Sequence, residues 1–227
     1  KKFAKEGKIT CVFEEGFVTI KKGEWKIRIE KVKNIPITME GKAKFMIANV
    51  LAASLAAYVY GFEIPNIALA LTTFIPSAQL TPGRLNVFKF KNFKVMIDFA
   101  HNPAGYEAIE DYLKNVESNK KIGIISGVGD RRDDDIRECG KIAARMFDHI
   151  IIRNEKHLRG RTEEEINGLI IEGIQSVDKS VSYEIIPKEI DALKHAMSLA
   201  EEGTYITALS DVINNAIEIV QEYQAKE

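Results

Sequence analysis

An aspartate, a histidine and an asparagine fall together in the stretch Asp98-Phe99-Ala100-His101-Asn102, which Pro103 closes. They supply an ionised carboxylate that accepts hydrogen bonds, an imidazole that titrates near neutral pH, and an amide that both donates and accepts. Such a set suits the hydroxyls and charged oxygens of a bound ligand. The apolar run Val95-Met96-Ile97 before it reads as a buried strand, and Pro103 suits the first turn of a helix over 104–116. Polar groups just past the carboxyl end of a strand are where open α/β sheets bind ligands. A second reading is available: Asp98 and Asn102 cap the helix and His101 is an ordinary loop residue. These residues alone leave both readings open.

The elements around the segment must form a sheet for the first reading to work. After Arg84, strand patterns at 86–90, 94–99, 121–126, 149–152, 182–186 and 204–208 alternate with helical patterns starting near 104, 134, 162, 188 and 212. That alternation predicts an α/β, Rossmann-like domain with a mostly parallel sheet flanked by helices. Upstream, strands at 8–13, 17–21 and 25–30 are punctuated by Glu14-Glu15-Gly16 and Lys22-Gly23-Glu24, and helices at 43–60 and 65–74 follow. The stretch Ser77-Ala78-Gln79-Leu80-Thr81-Pro82-Gly83 is small, polar and broken by proline and glycine, as a linker is. Two domains are expected, 1–82 and 83–227.

Composition sets limits. Thirty-two basic against thirty-three acidic residues give a net charge of −1, without the basic excess of a nucleic-acid binder. The longest apolar run, 47–60, is broken by Asn49 and Ser54 and is too short to span a bilayer. Cys11 and Cys139 lack metal-ligand spacing, so a reducing, cytoplasmic setting without a protein-held metal is expected. Gly127-Val128-Gly129 is not a dinucleotide fingerprint, because the third glycine would fall at Arg132. The loop carries Asp130, Arg131 and Arg132 either towards a ligand or, with Asp133-Asp134-Asp135, merely as the solvated start of a helix. The basic loop 156–161 reads as a solvated face, and His149, His157 and His195 show no partner spacing. No Gly-x-x-Gly-Lys-(Ser/Thr) phosphate loop occurs anywhere.

The segment 98–103 resembles the Asp-(Tyr/Phe)-Ala-His-Asn-Pro motif of the Mur ligase superfamily, ATP-dependent enzymes that form amide bonds. Thr81-Pro82-Gly83-Arg84-Leu85-Asn86 resembles the hinge between the central and C-terminal domains of these ligases. Gly41-Lys42-Ala43-Lys44-Phe45 with Asn49-Val50-Leu51-Ala52-Ala53 resembles the central-domain helix that bears an asparagine pattern, although its preceding asparagine falls at Met46. With Gly127 to Asp133 and Leu158-Arg159-Gly160-Arg161, the likeness, from about Ile35 onwards, is greatest to the C-terminal region of the cyanophycin-synthetase-like branch.

The resemblance implies ATP and Mg²⁺ as cofactors. It places Asp98 on the ribose hydroxyls, Asn49 on the nucleotide side, and Arg84 and His101 at the phosphates as the candidate catalytic pair. For His101 a binding role is preferred to a general-base role. Asn102, Asp130, Arg131 and Arg132 are the implied substrate contacts, and the resemblance also offers the basic loop 156–161, otherwise a solvated face, as a contact for an anionic peptide. The implied reaction adds arginine to aspartate side chains of a poly-aspartate backbone through an acyl phosphate. Another Mur-type ligase, for folylpolyglutamate or murein peptides, would share most of these residues, and a non-catalytic nucleotide- or protein-binding domain is a further alternative. Without a phosphate loop, and starting at lysine, the chain is expected to be an inactive piece of a longer enzyme. No nucleic-acid or membrane partner is expected, and a homo-oligomer is left open.

Overall fold

A computed structural model of the chain describes residues 8–155, 157–177, 180–210 and 212–226. It divides into two compact units, the first ending at Pro76 and the second starting at Ser77. The stretch 77–83 is tied into the second unit. Phe99 donates its backbone N–H to Gly83 O at 2.9 Å, and Ala78 packs against that unit's core.

The first unit opens with an antiparallel meander, β1 (Ile9–Glu14), β2 (Phe17–Lys22) and β3 (Trp25–Lys31). Glu15 and Gly16 both have positive φ, 52° and 82°, the backbone of a two-residue turn whose twist matches the strands it joins. Two single 3₁₀ turns, Val32–Asn34 and Pro36–Thr38, were not foreseen from periodicity. The buried Thr38 hydroxyl holds them by donating to Val32 O at 2.8 Å. Two helices follow, α1 (Lys44–Tyr60) and α2 (Ile64–Thr73), and Gly61 ends α1 at φ 108°. Val18, Ile20, Ile35, Ile47, Val50 and Ile67 form this unit's core.

The second unit runs β4 (Asn86–Lys89), β5 (Phe93–Asp98), α3 (Pro103–Leu113), β6 (Lys120–Ile125), α4 (Asp133–Met146), β7 (His149–Ile152), α5 (Glu163–Gln175), β8 (Ser182–Ile185), α6 (Glu189–Ser198), β9 (Thr204–Leu209) and α7 (Ile213–Gln224). Its sheet has the order β4-β5-β9-β6-β7-β8. All neighbours are parallel except β4, which a three-residue hairpin forces antiparallel to β5. Every residue of β9 is buried, as a central strand covered on both faces requires. On one face α6 and α7 bring Leu193, Ala196, Met197, Ala216, Ile217 and Val220 onto Val95, Ile97, Ile122, Ile124 and Ile206. On the other lie α3, α4 and α5, with Tyr112 of α3 meeting Tyr205 of β9, hydroxyl to hydroxyl, at 3.2 Å.

This winding sets where the loops of the carboxyl edge diverge. β5 and β6 lead into helices on one face, while β9, inserted between them, leads into α7 on the other. The loops leaving these three carboxyl ends are therefore directed to opposite faces, the arrangement at which open α/β sheets in general take ligands. Among the described residues, no helix is long and apolar enough to cross a membrane.

Candidate functional site

Asp98 ends β5 and is 5% exposed. Its Oδ2 accepts the Leu85 N–H at 3.0 Å and its Oδ1 accepts the Ala100 N–H at 2.9 Å. Burial pushes this carboxyl above its usual range, and the N–H donors and the Arg84 charge oppose that rise. The helix cap is Asn102 alone: its Oδ1 accepts the Gly105 N–H at 2.8 Å. Asp98 instead bolts the 81–86 loop to the end of β5. An amide at this position must turn its NH₂ towards one of two backbone donors. Asp98→Asn is therefore expected to lower stability by about 1–3 kcal/mol, read from the urea midpoint; an unchanged midpoint would show that the bolt carries nothing.

The bolt shapes the backbone that carries Arg84. Gly83 and Leu85 on either side of it both have positive φ, 68° and 48°. For a buried leucine that is a strained conformation, kept only because its surroundings hold it. A Cβ on Gly83 would stand 2.6 Å from Ile213 Cδ1, so any other residue must displace that side chain and adopt a backbone that favours glycine. Arg84 is exposed, with its guanidinium 5.4 Å from the centre of the Phe99 ring. On the same ring His101 packs edge-on, centroids 4.9 Å apart at 66°. His101 Nδ1 lies 2.9 Å from Phe99 O. A carbonyl only accepts, so Nδ1 carries the proton, and Nε2 is the nitrogen left for a ligand. Arg84, Asp98, His101 and Asn102 thus form one cluster.

Asp130, Arg131 and Arg132 sit on the loop after β6, with β9 between that strand and β5. Arg132 is committed to the first turn of α4, donating to both Asp135 oxygens at 3.0 and 2.9 Å. Asp130 is exposed, and Arg131 Nε lies 3.9 Å from it. The 157–161 loop packs onto this one. A Cβ on Gly129 would stand 2.1 Å from Leu158 O, and Arg161 donates to Arg131 O at 3.3 Å and Asp133 at 2.6 Å. The expectation of a merely solvated basic face is corrected for Arg161; Lys156 lies outside the described residues. Asn49 is exposed on α1 of the first unit, 3.7 Å from Met46 Sδ.

A charged group that the sequence reading passed over lies at the carboxyl end of β7. Arg153 is 3% exposed. Its Nη1 stands 3.8 Å from Glu189 Oε2 and 4.0 Å from Glu155 Oε2, and its Nη2 donates to Leu209 O at 3.3 Å. The Ser210 hydroxyl donates to Glu189. Arg153 and Glu189 help to line a cavity of about 480 Å³ whose walls include Leu193, Val212, Asn215 and Ala216. Its one sequence signal was Arg153-Asn154-Glu155 directly after an isoleucine run, the same cue that marked Asp98. The histidine expectation also needs correcting. Parallel pairing of β7 with β8 and the placing of α6 bring His149 and His195 onto one carboxylate oxygen of Glu184, at 2.8 and 3.0 Å.

Residues 83–211 match the sequence profile described as Mur ligase, glutamate ligase domain. The chain belongs to the Mur ligase family. Its match begins at Gly83 and takes in Arg84, Asp98, His101, Asn102 and the 130–132 loop. Among Mur ligase relatives, the chain is 43% identical over 215 residues to cyanophycin synthetase of Geminocystis herdmanii (strain PCC 6308), covering 95% of this chain and 24% of that protein. To the cyanophycin synthetase of Trichormus variabilis (strain ATCC 29413 / PCC 7937) it is 40% identical, covering 97% of this chain and 24% of that one. The chain thus spans about a quarter of the length of these curated relatives. The Mur ligase fold is shared with E. coli FolC in complex with ADP, TM-score 0.69 at 17% identity over 96% of this chain and 47% of that one. It is also shared with Thermotoga maritima UDP-N-acetylmuramate-alanine ligase MurC, TM-score 0.61 at 15% identity over 92% of this chain and 43% of that one.

Proposed function

We propose that the chain is the C-terminal part of a cytoplasmic, ATP-dependent carbon–nitrogen ligase of the cyanophycin-synthetase type. The unit ending at Pro76 is the end of its central domain, and the unit from Ser77, which holds the 77–83 stretch that sequence composition alone assigns to a linker, is its C-terminal domain. The observation that carries this reading is the 43% identity to a cyanophycin synthetase across nearly the whole chain. Identity to a murein-type relative, the 2,6-diaminopimelate ligase of Caldanaerobacter subterraneus, is 27% over 183 residues. In the proposed reaction an aspartate side-chain carboxylate of a poly-aspartate backbone takes the γ-phosphoryl group of ATP, giving an acyl phosphate. The arginine amine then attacks the acyl carbon, and phosphate leaves.

The residues present fit a nucleotide. Exposed Arg84 presents a donor fork to phosphoryl oxygens. His101 Nε2, once protonated, donates to another. The lone pairs that Asp98 does not spend on Leu85 and Ala100 accept from the ribose, and Asn49 serves the nucleotide side of the first unit. Mg²⁺, when bound with ATP, neutralises phosphoryl charge. Asn102, Asp130, Arg131 and Arg132 are assigned to the peptide and amino-acid substrates. The cavity beside Arg153 has room for a free amino acid, whose carboxylate and ammonium match Arg153 and Glu189.

Because the 227 residues contain no Gly-x-x-Gly-Lys-(Ser/Thr) loop, the chain by itself is expected to bind Mg-ATP more weakly than millimolar and to ligate nothing. Calorimetric titration and phosphate-release assays with arginine check this. Micromolar affinity would overturn the assignment of phosphate binding to residues outside the chain. A longer polypeptide carrying such a loop should release phosphate only with ATP, arginine and a poly-aspartate primer together.

A further inference from the structure

We propose that Phe99 is a positioning residue that holds Arg84 and His101 as one unit for the reaction proposed above, on which its kinetic consequence rests. Four contacts converge on this one side chain and its backbone. Its N–H donates to Gly83 O at 2.9 Å, fixing the backbone next to Arg84. Its ring lies under the Arg84 guanidinium at 5.4 Å. The ring also packs against the edge-on imidazole of His101 at 4.9 Å. Its carbonyl accepts from His101 Nδ1 at 2.9 Å and so sets the tautomer.

Each contact does a different job. The guanidinium is attracted to the negative face of the ring, which limits the many rotamers of an otherwise exposed arginine. The two backbone bonds orient the peptide on either side of the ring. The edge-on packing keeps the imidazole from turning its other nitrogen to the carbonyl. An aliphatic side chain would keep the backbone bonds but lose the ring's hold on both Arg84 and His101. Arg84 and His101 would then sample separate rotamers, and their donors would no longer converge on one phosphoryl group.

Nuclear magnetic resonance on the chain itself tests the clamp. In wild type, the Arg84 Nε–H proton should be shifted upfield by the ring, neutral His101 should show a protonated Nδ1 and a bare Nε2, and Phe99 ring protons should show Overhauser contacts to both side chains. Phe99→Leu should lose the Arg84 shift and give mixed His101 tautomers, while Phe99→Tyr retains both signals. Absence of the wild-type contacts, or an Arg84 shift and His101 tautomer unchanged in Phe99→Leu, would overturn the proposal; the wild-type contacts decide the matter if Phe99→Leu does not fold. In the longer ligase, Phe99→Leu should lower kcat about tenfold through misplacement, with Phe99→Tyr restoring most of it and KM for arginine unmoved. Normal kcat in Phe99→Leu would overturn the positioning role even with the clamp present. Failure of the wild-type longer polypeptide to ligate would instead sink the functional reading, and the resonance arm would still decide the clamp.

Discussion

Arg153→Met should destabilise the second unit by about 3–5 kcal/mol, the cost of removing one partner from a buried ion pair. The guanidinium is 3% exposed and stands between Glu155 and Glu189, themselves mostly buried. Methionine fills most of the apolar volume of the stem but leaves two carboxylates without that counter-charge. It also frees Leu209 O, the carbonyl through which Arg153 links the ends of β7 and β9. Chemical unfolding measures the loss. The double variant Arg153→Met/Glu189→Gln should recover part of it, because the second change removes one of the stranded charges. A wild-type midpoint for Arg153→Met would mean that water reaches the pair and that the cavity beside it is no preorganised polar site. The same substitution should abolish any binding of free amino acid by the chain, a separate readout of the seat proposed there.

Gly173→Val should cost about 3 kcal/mol or more, at the severe end of core overpacking. The helices α4 and α5 meet backbone to backbone through a pair of glycines. A Cβ on Gly173 would stand 2.0 Å from Arg137 O and 3.0 Å from Lys141 N. A Cβ on Gly140 would stand 2.2 Å from Ile170 O. These obstacles are main chain, so no side chain can swing away, and the helices must separate. Gly168 on the same helix is the internal control, since an added Cβ meets nothing within 4 Å there. Gly168→Ala should therefore raise stability by roughly 1 kcal/mol through helix propensity. Thermal melts of the two variants should move in opposite directions; a shared direction would refute the close-approach argument. The consequence reaches function, because α4 and α5 carry at their amino ends the two interlocked loops around Gly129 and Leu158.

Much of the second unit was legible in the chain itself. Alternating apolar runs, with glycine and proline between them, put the strands within about a residue of where they lie, because burial on a sheet face and turn chemistry are local. Pro103 opening α3 and Asn102 capping it follow from the same local chemistry. The polar cluster at the end of β5 was found as residue types at a spacing, and its likeness to one family was carried by contiguous motifs.

Strand order and register were not local, and they decided the rest. Asp98 and Asn102 looked alike as helix caps. Only the fold sends the Leu85 N–H, 13 residues upstream, to Asp98 and so makes that carboxylate a bolt. His149, Glu184 and His195 are unremarkable apart until β7, β8 and α6 set them on one oxygen. Arg153 acquires its meaning from the insertion of β9 between β5 and β6, which parts the loops at the carboxyl edge and delivers Leu209 O and Ser210 beside it. The types of side chain available for chemistry are written along the chain. Which of them share a desolvated space depends on pairings between distant segments, and those are selected by the burial of the whole sheet rather than by any residue's neighbours in sequence.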